Sequence, residues 1–203
     1  MPTLLDNMSS EFADLAARIS QGEDMEVRAF ARAGSHITSL VRLLGRHFKF
    51  AETDVAQKVD DLNTASRSFP TLISMLEADI EQNTLRNANS HSRNLLRLKR
   101  IIEMVKILFE QIIASNFDES GSSWASKGLA AYSAVFGQQH APGLQATLTY
   151  YSDTIPTQGQ FLAKLKENEA SCEANMRIIV EAAGPIIQYI DNLFLSRGLR
   201  LDS

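Results

Sequence analysis

Helical periodicity is the feature that most constrains the fold of this chain. Apolar residues recur at three- and four-residue spacing in almost every segment, and no run of alternating β-branched residues between tight turns predicts a strand. The breaks fall near Gly22, Pro70, residues 116–123 and residues 137–143, and Pro185 is expected to kink or restart the last helix. No long linker separates the resulting segments. We therefore predict an all-α fold of about eight helices in one domain that spans all 203 residues.

The segment at residues 90–115 predicts the most informative helix. Its broad apolar face carries Leu95, Leu98, Ile102, Val105, Phe109 and Ile112. A thin polar strip with the spacing of a solvated edge carries Lys99, Glu103, Lys106 and Glu110. A third stripe begins with Arg93, Arg97 and Arg100 and continues as Met104, Ile107 and Leu108. A helix that is apolar on both sides of a narrow polar strip is typical of one that packs between two layers.

The arginine stripe has two interpretations. In the first, the three guanidinium groups lie at the mouth of an apolar cavity and bind an anion. In the second, Arg93, Arg97 and Arg100 are solvated side chains that extend from the end of a core helix. The spacing alone leaves both open.

Composition excludes several classes of protein. The net charge of −4 disfavours a general nucleic-acid binder, and the single cysteine, Cys172, excludes an internal disulfide framework and a cysteine-rich zinc site. The first 20 residues lack a basic start followed by an apolar run, and no uninterrupted apolar stretch reaches about 18 residues. We therefore expect a cytosolic protein with no membrane span, no metal and no cofactor.

A second group of polar residues lies in the predicted helix at residues 48–62. Asp54 and Lys58 are one turn apart at the edge of its apolar face. They could form an ordinary helix ion pair, or Asp54 could accept from a ligand N–H or hydroxyl while Lys58 binds a phosphate. His140 lies in the break at residues 137–143, where a histidine that faces a pocket could donate one hydrogen bond to a carbonyl.

Four segments together resemble the glycolipid transfer protein family, and its ceramide-1-phosphate-transferring branch in particular. They read FKFAETDVAQKVDDL, SHSRNLLRLKR, MVKILFEQIIAS and YIDNLFLS, in the same order and at familiar separations. The resemblance extends from about residue 40 to the C-terminus. It implies a two-layer, all-helical sandwich with an internal apolar pocket that holds one sphingolipid.

The resemblance also implies a role for each head-group residue. Asp54 matches the aspartate that binds the sphingoid amide N–H, and Lys58 matches a phosphate-binding lysine. Arg93 and Arg97 match two phosphate-binding arginines, and His140 matches the histidine that binds the acyl amide oxygen. The glycolipid-carrying branch has a tryptophan at position 97, so Arg97 implies a phosphosphingolipid instead of a glycolipid.

The sequence departs from the family pattern beyond His140. The family usually has a membrane-docking tryptophan two residues further on and a basic residue beyond it, where this chain has Pro142 and Gln145. Candidate substitutes at the membrane interface are Trp124, for which surface packing is the alternative, and the pair of tyrosines at positions 150 and 151. Candidate pocket walls, each of which could instead be core, are Phe50, Met104, Leu108, Phe161, Leu165, Met176 and Ile179.

The function implied is that of a carrier. We expect the chain to bind ceramide-1-phosphate or a related phosphosphingolipid, to contact membranes transiently and to perform no chemistry. A lipid sensor that signals through a protein partner is the first alternative. Two others are an enzyme that uses His140 and Asp54, which lacks any supporting nucleophile, metal or phosphate-loop motif, and a ligand-free helical adaptor. The sequence does not predict an oligomeric state.

Overall fold

The computed structural model describes residues 1–120, 123–137 and 142–202, in which helices are joined by turns and loops. The α-helices are α1 (Leu4–Ser20), α2 (Val27–Arg42), α3 (Lys49–Ala65), α4 (Leu72–Glu81), α5 (His91–Ala114), α6 (Trp124–Phe136), α7 (Pro142–Tyr150), α8 (Gln158–Leu165) and α9 (Glu169–Leu195). Two short 3₁₀ segments are Arg46–Phe48 and Ser152–Thr154. The ranges described contain no strand, only an isolated bridge between Glu26 and Thr71. The all-α prediction is therefore confirmed, with nine helices in these ranges where about eight were expected.

Side-chain caps determine where several helices begin. The Ser90 hydroxyl accepts from the backbone N–H of Arg93 at 3.1 Å and starts α5. At the start of α8, Thr157 and Gln160 exchange side-chain-to-backbone hydrogen bonds and so form a capping box. Gly198 has a φ of +68° just beyond α9, a conformation that glycine adopts without steric cost.

Helix α5 lies at the centre of the fold. It packs against α3, α4, α6 and α9, while α1 packs against α9 and α2, and α2 packs against α3. The polar strip of α5 is not a solvated edge at its first residue. Lys99 is only 3% exposed, and its Nζ lies 2.9 Å from Asp191 of α9 and 3.2 Å from Glu103. The expectation of a solvated strip was wrong there because α9 covers that part of α5.

Helix α9 continues through Pro185, so the expected restart of this helix does not occur. Proline removes one backbone donor, but Pro185 is exposed and so is Glu181, whose carbonyl loses its partner and can bind water instead. By length and composition alone, α9 could cross a membrane. In this fold Asn175 accepts a hydrogen bond from Ser9 of α1, and Asp191 pairs with α5, so α9 acts as a core helix.

Candidate functional site

A cavity of about 750 Å³ lies beside α5, with walls from α2, α3, α6 and the segments that follow. Its described walls are apolar apart from a few residues. Six of the seven predicted wall residues line it: Phe50, Met104, Leu108, Phe161, Leu165 and Met176. The seventh, Ile179, is fully buried in the core and is not among the lining residues. The fold therefore encloses an apolar space large enough for part of a lipid.

The charged residues on the described walls of this cavity form one group. They are Asp54 and Lys58 from α3, and Arg97 and Arg100 from α5. Burial lowers the pKa of Arg97 below its ordinary value, and the neighbouring charge of Arg93 lowers it further. Asp54 partly offsets this shift, and Arg100 adds to it. The cations are thus close enough to repel one another, and an anion bound among them would relieve that repulsion.

Asp54 and Lys58 form an ion pair with each other. The Lys58 Nζ lies 2.6 Å from Asp54 Oδ1 and also donates to the Asp54 carbonyl at 3.3 Å. Lys58 is buried, whereas the Asp54 side chain is 62% exposed. The ordinary helix ion pair is therefore present, and the same pair forms part of the cavity wall, where a ligand could engage both groups.

Each of the three arginines donates to a backbone carbonyl. Arg93 Nη1 donates to the carbonyl of Arg86 at 3.1 Å, and Arg97 Nη1 donates to the carbonyl of Ala88 at 3.1 Å. Arg100 Nη2 donates to the carbonyl of Leu201 at 2.5 Å. Arg93 is not among the cavity-lining residues, although its charge acts on Arg97. Arg97 and Arg100 therefore border the cavity, as in the first interpretation of the stripe, whereas Arg93 does not line it.

Arg100, the last member of the predicted arginine stripe, lines the cavity, although the family resemblance gave it no role in binding the head group. A buried carboxylate on α3, which is not among the lining residues, was not predicted from the sequence. Glu52 is buried and binds Arg42 at 2.8 Å and Lys49 at 3.0 Å, which ties the end of α2 to the start of α3. Hydrogen bonds from Arg42, and then from Lys49, hold the pKa of Glu52 below its ordinary range. No sequence signal links Glu52 to Arg42, because the pair depends on how two helices meet.

The remaining residues singled out in the sequence differ in how exposed they are. His140 lies outside the described residues. Trp124 is buried against Phe117 and Phe161, both at ring-centroid distances of 5.8 Å, and it lines the cavity, so neither membrane exposure nor surface packing describes it. Tyr150 is 79% exposed. Its neighbour Tyr151 stacks on His47 at 4.8 Å, which joins the end of α7 to the segment before α3.

The two residues that depart from the family pattern, Pro142 and Gln145, both lie in α7. Pro142 begins α7 and is exposed, a position in which its missing N–H needs no helical partner. Gln145 donates to the hydroxyl of Ser133 at 3.2 Å, which links α7 to α6.

Comparison with known proteins gives a consistent answer. Residues 25–167 match the family model for glycolipid transfer protein. Accelerated cell death 11 of Arabidopsis thaliana is 42% identical over 199 residues, which are 98% of this chain and 95% of that protein. An Arabidopsis thaliana protein described as its homolog is 36% identical over 208 residues, covering 98% of this chain and 89% of that protein.

Solved structures extend this similarity to the fold. An aspartate-to-alanine mutant of Arabidopsis accelerated cell death 11, complexed with C12 ceramide-1-phosphate, matches with a TM-score of 0.93 at 40% identity and covers 99% of this chain and 100% of that one. Human ceramide-1-phosphate transfer protein in complex with 12:0 ceramide-1-phosphate matches with a TM-score of 0.81 over 98% of both chains. Its identity is 15%, so that likeness shows the fold alone. The family expected from the four sequence segments is confirmed: this chain belongs to the glycolipid transfer protein family.

Proposed function

We propose that this chain is a single lipid-transfer domain that binds ceramide-1-phosphate and carries it between membranes without changing it chemically. One observation carries the proposal: Lys58, Arg97 and Arg100 lie together, beside Asp54, on the wall of a cavity whose other described walls are apolar. An anionic head group joined to hydrocarbon chains has the matching chemistry. Further support comes from the relative at 40% identity, whose structure was solved with ceramide-1-phosphate bound.

The head group would be recognised by complementary charges and hydrogen bonds. Guanidinium groups suit phosphate oxygens because their planar N–H donors can bind two oxygens at once. We assign the phosphate to Arg93, Arg97 and Lys58, and the sphingoid amide N–H to the carboxylate of Asp54. His140 is assigned to the acyl amide oxygen by family resemblance. A ligand that lacks the phosphate would leave Arg93 and Arg97 without an anion to bind and would therefore bind weakly.

The lipid chains supply affinity but little selectivity. At roughly 0.8 kcal/mol for each CH₂ group, exposing a 16-carbon chain to water costs on the order of 12 kcal/mol. The apolar walls of the cavity offset that cost. Because a bilayer and the cavity are similarly apolar, moving the lipid chains from one to the other changes the free energy little and needs no nucleotide hydrolysis. Selectivity must then come from the charged group.

Membrane contact would use the region around the start of α3. Phe50 lines the cavity and is also 43% exposed, and Tyr150 is more exposed still. Tyr150 contacts Tyr151, whose ring stacks on His47, so both exposed aromatic rings belong to the same region. Aromatic side chains favour the membrane interface. We therefore propose transient peripheral contact here by a cytosolic protein, despite the absence of the usual docking tryptophan.

A vesicle-to-vesicle transfer assay tests the function. Donor vesicles would contain labelled ceramide-1-phosphate, ceramide, glucosylceramide or phosphatidic acid in turn. We expect transfer of ceramide-1-phosphate well above the others: ceramide and glucosylceramide lack the phosphate, and phosphatidic acid lacks the amide that Asp54 would bind. Equal transfer of all four lipids, or none of ceramide-1-phosphate, would contradict the proposal.

The same assay separates a carrier from its alternatives. The label should be recovered as intact ceramide-1-phosphate, whereas an enzyme would return a hydrolysed or modified product. A sensor would bind the lipid in an equilibrium measurement without moving it between vesicles. Asp54→Val serves as the control variant that keeps the apolar walls while removing the acceptor for the amide.

A further inference from the structure

The loop between α4 and α5, residues 82–90, holds the two arginines assigned to the phosphate. The carbonyl of Arg86 accepts from Arg93, and the carbonyl of Ala88 accepts from Arg97, both at 3.1 Å. A guanidinium group has five N–H donors. One bond to the loop therefore restrains each side chain while leaving other donors for an anion.

The loop is itself attached to Asp79, near the end of α4. The Oδ1 of Asp79 accepts from the Thr84 hydroxyl at 2.7 Å, and the Asp79 carbonyl accepts from the Thr84 N–H at 2.9 Å. The Thr84 carbonyl then accepts from the N–H of Asn87 at 2.9 Å, and the Asn87 carbonyl accepts from the N–H of Ser90 at 3.1 Å. These bonds run from Asp79 through the loop to the cap of α5.

The other oxygen of Asp79 holds the first turn of α5 directly. Its Oδ2 accepts from the N–H of Ser92 at 2.9 Å and from the Ser92 hydroxyl at 2.6 Å. Asp79 is 6% exposed and Ser92 is fully buried, so this carboxylate is satisfied by fixed donors in the protein interior. The N-terminus of a helix also attracts negative charge. One buried side chain therefore fixes both the loop and the helix that carries the arginines.

We propose that Asp79 is a positioning residue for the anion site, which it orders before any ligand arrives. It makes no contact with the ligand. Through Ser92 it sets the position of α5, and through Thr84 it sets the carbonyls that restrain Arg93 and Arg97. Pre-ordering removes part of the entropy loss that two long side chains would otherwise suffer on binding. The expected effect on lipid affinity rests on the proposed function. The ordering of the two arginines does not, because it requires no ligand.

The test uses a variant that releases the loop and leaves α5 attached. Asp79→Ala would strand the buried donors of Ser92 and put folding at risk, so Thr84→Val is the main variant: it removes one hydroxyl at nearly constant volume. The first measurement is ¹⁵N relaxation of the arginine Nε–Hε groups in the ligand-free protein. We expect Arg93 and Arg97 to lose order in Thr84→Val. Arg100, held by the carbonyl of Leu201 and not by this loop, should stay unchanged as an internal reference.

The second measurement is binding of ceramide-1-phosphate. We expect Thr84→Val to weaken it about tenfold, the size of effect that follows when one restraint on a charged hydrogen-bonding group is lost. Asp79→Asn should retain both order and affinity, because an asparagine can accept from Ser92 and donate to the Thr84 hydroxyl. This rescue distinguishes the geometry of the contacts from the charge of Asp79.

Ser9→Ala is the matched control. Its hydroxyl donates to Asn175 at 2.8 Å between α1 and α9, away from the cavity walls, so its loss should lower the melting temperature and leave arginine order and affinity unchanged. Unchanged arginine order in Thr84→Val, or an equal loss of affinity in Ser9→Ala, would overturn the positioning role. If the wild-type protein does not bind ceramide-1-phosphate, the proposed function fails, and the relaxation measurement still decides whether Asp79 orders the arginines.

Discussion

Replacing Arg97 by glutamine should separate lipid binding from stability. Within the described residues, this guanidinium donates one hydrogen bond, to the neutral carbonyl of Ala88. Burial and the charges of Arg93 and Arg100 lower its pKa, and Asp54 acts in the opposite direction. The charged side chain is thus poorly compensated until an anion binds. We expect Arg97→Gln to leave the ligand-free fold intact.

The magnitudes follow from these contacts. Losing one hydrogen bond to a neutral acceptor costs about 0.5–1.5 kcal/mol, and relief of repulsion acts against that loss, so the free energy of unfolding should change by less than about 1 kcal/mol. The loss of binding free energy is larger if Arg97 holds the phosphate through two charge-assisted hydrogen bonds. At about 1.5 kcal/mol for each bond, the lower end of the range for charged groups, the loss is about 3 kcal/mol, or roughly 100-fold in affinity.

The single tryptophan of the chain provides the assay. Trp124 lines the cavity, so its fluorescence should respond when lipid chains enter, and a titration with ceramide-1-phosphate gives the affinity. Urea denaturation gives the stability of the same samples. Wild-type affinity in Arg97→Gln would refute the phosphate role of Arg97. A loss of stability above about 2 kcal/mol would instead identify the guanidinium as a structural group.

Three further predictions concern other parts of the molecule. Asp54→Val should abolish transfer of any sphingolipid and should also lower the free energy of unfolding, as measured by denaturation, because the buried Lys58 ammonium loses its carboxylate partner. Full transfer activity in a folded Asp54→Val variant would contradict the role of Asp54 in binding the lipid. Because the pKa of folded Glu52 is below its ordinary value of 4.5, the stability that its ionised form contributes is present above that pH and is lost as the pH falls through it towards the folded pKa. Glu52→Gln should therefore show a smaller loss of stability between pH 7 and pH 4 than the wild type; an identical pH dependence would contradict this. Ile179→Ala should cost about 2–5 kcal/mol of stability as a core truncation. Leu108→Ala, which borders an existing cavity, should cost less and should alter lipid affinity instead, and the reverse pattern in denaturation and fluorescence titrations would contradict their placement.

The sequence predicted the elements of this fold because their causes are local. Apolar spacing and the cap at Ser90 define α5, and the exchange between Thr157 and Gln160 defines the start of α8. The cluster of cations was also visible, since Arg97 and Arg100 share one stripe of a single helix. The helix around Pro185 could not be predicted from local sequence alone. The packing of α9 against α1 and α5 retains a helix that proline alone would be expected to interrupt.

Partners from different helices were not predictable from one sequence. Lys99 reads as part of a solvated strip, yet its counter-ion is Asp191, 92 positions further along the chain. Trp124 reads as a loop residue near serines and glycines, and it is buried only because α6 folds over the cavity. Periodicity shows which face of a helix is apolar. It does not show which other helix covers that face, so buried polar pairs remain invisible until the packing is known.

The contrast between the two kinds of buried charge explains how the fold tolerates its binding site. Lys99 has two carboxylates within 3.2 Å, so that charge is compensated inside the protein and ties α5 to α9. Within the described residues, Arg97 donates to a backbone carbonyl, and the neighbouring charge that shifts its pKa most is another cation, Arg93. A charge left in that state on a core helix is costly unless something outside the chain completes it. The anion that does so must also carry hydrocarbon, because the wall beyond the arginines is apolar. Helix α5 is thus stabilised by the protein itself on its α9 side, and we propose that a lipid phosphate supplies the missing counter-charge on its cavity side.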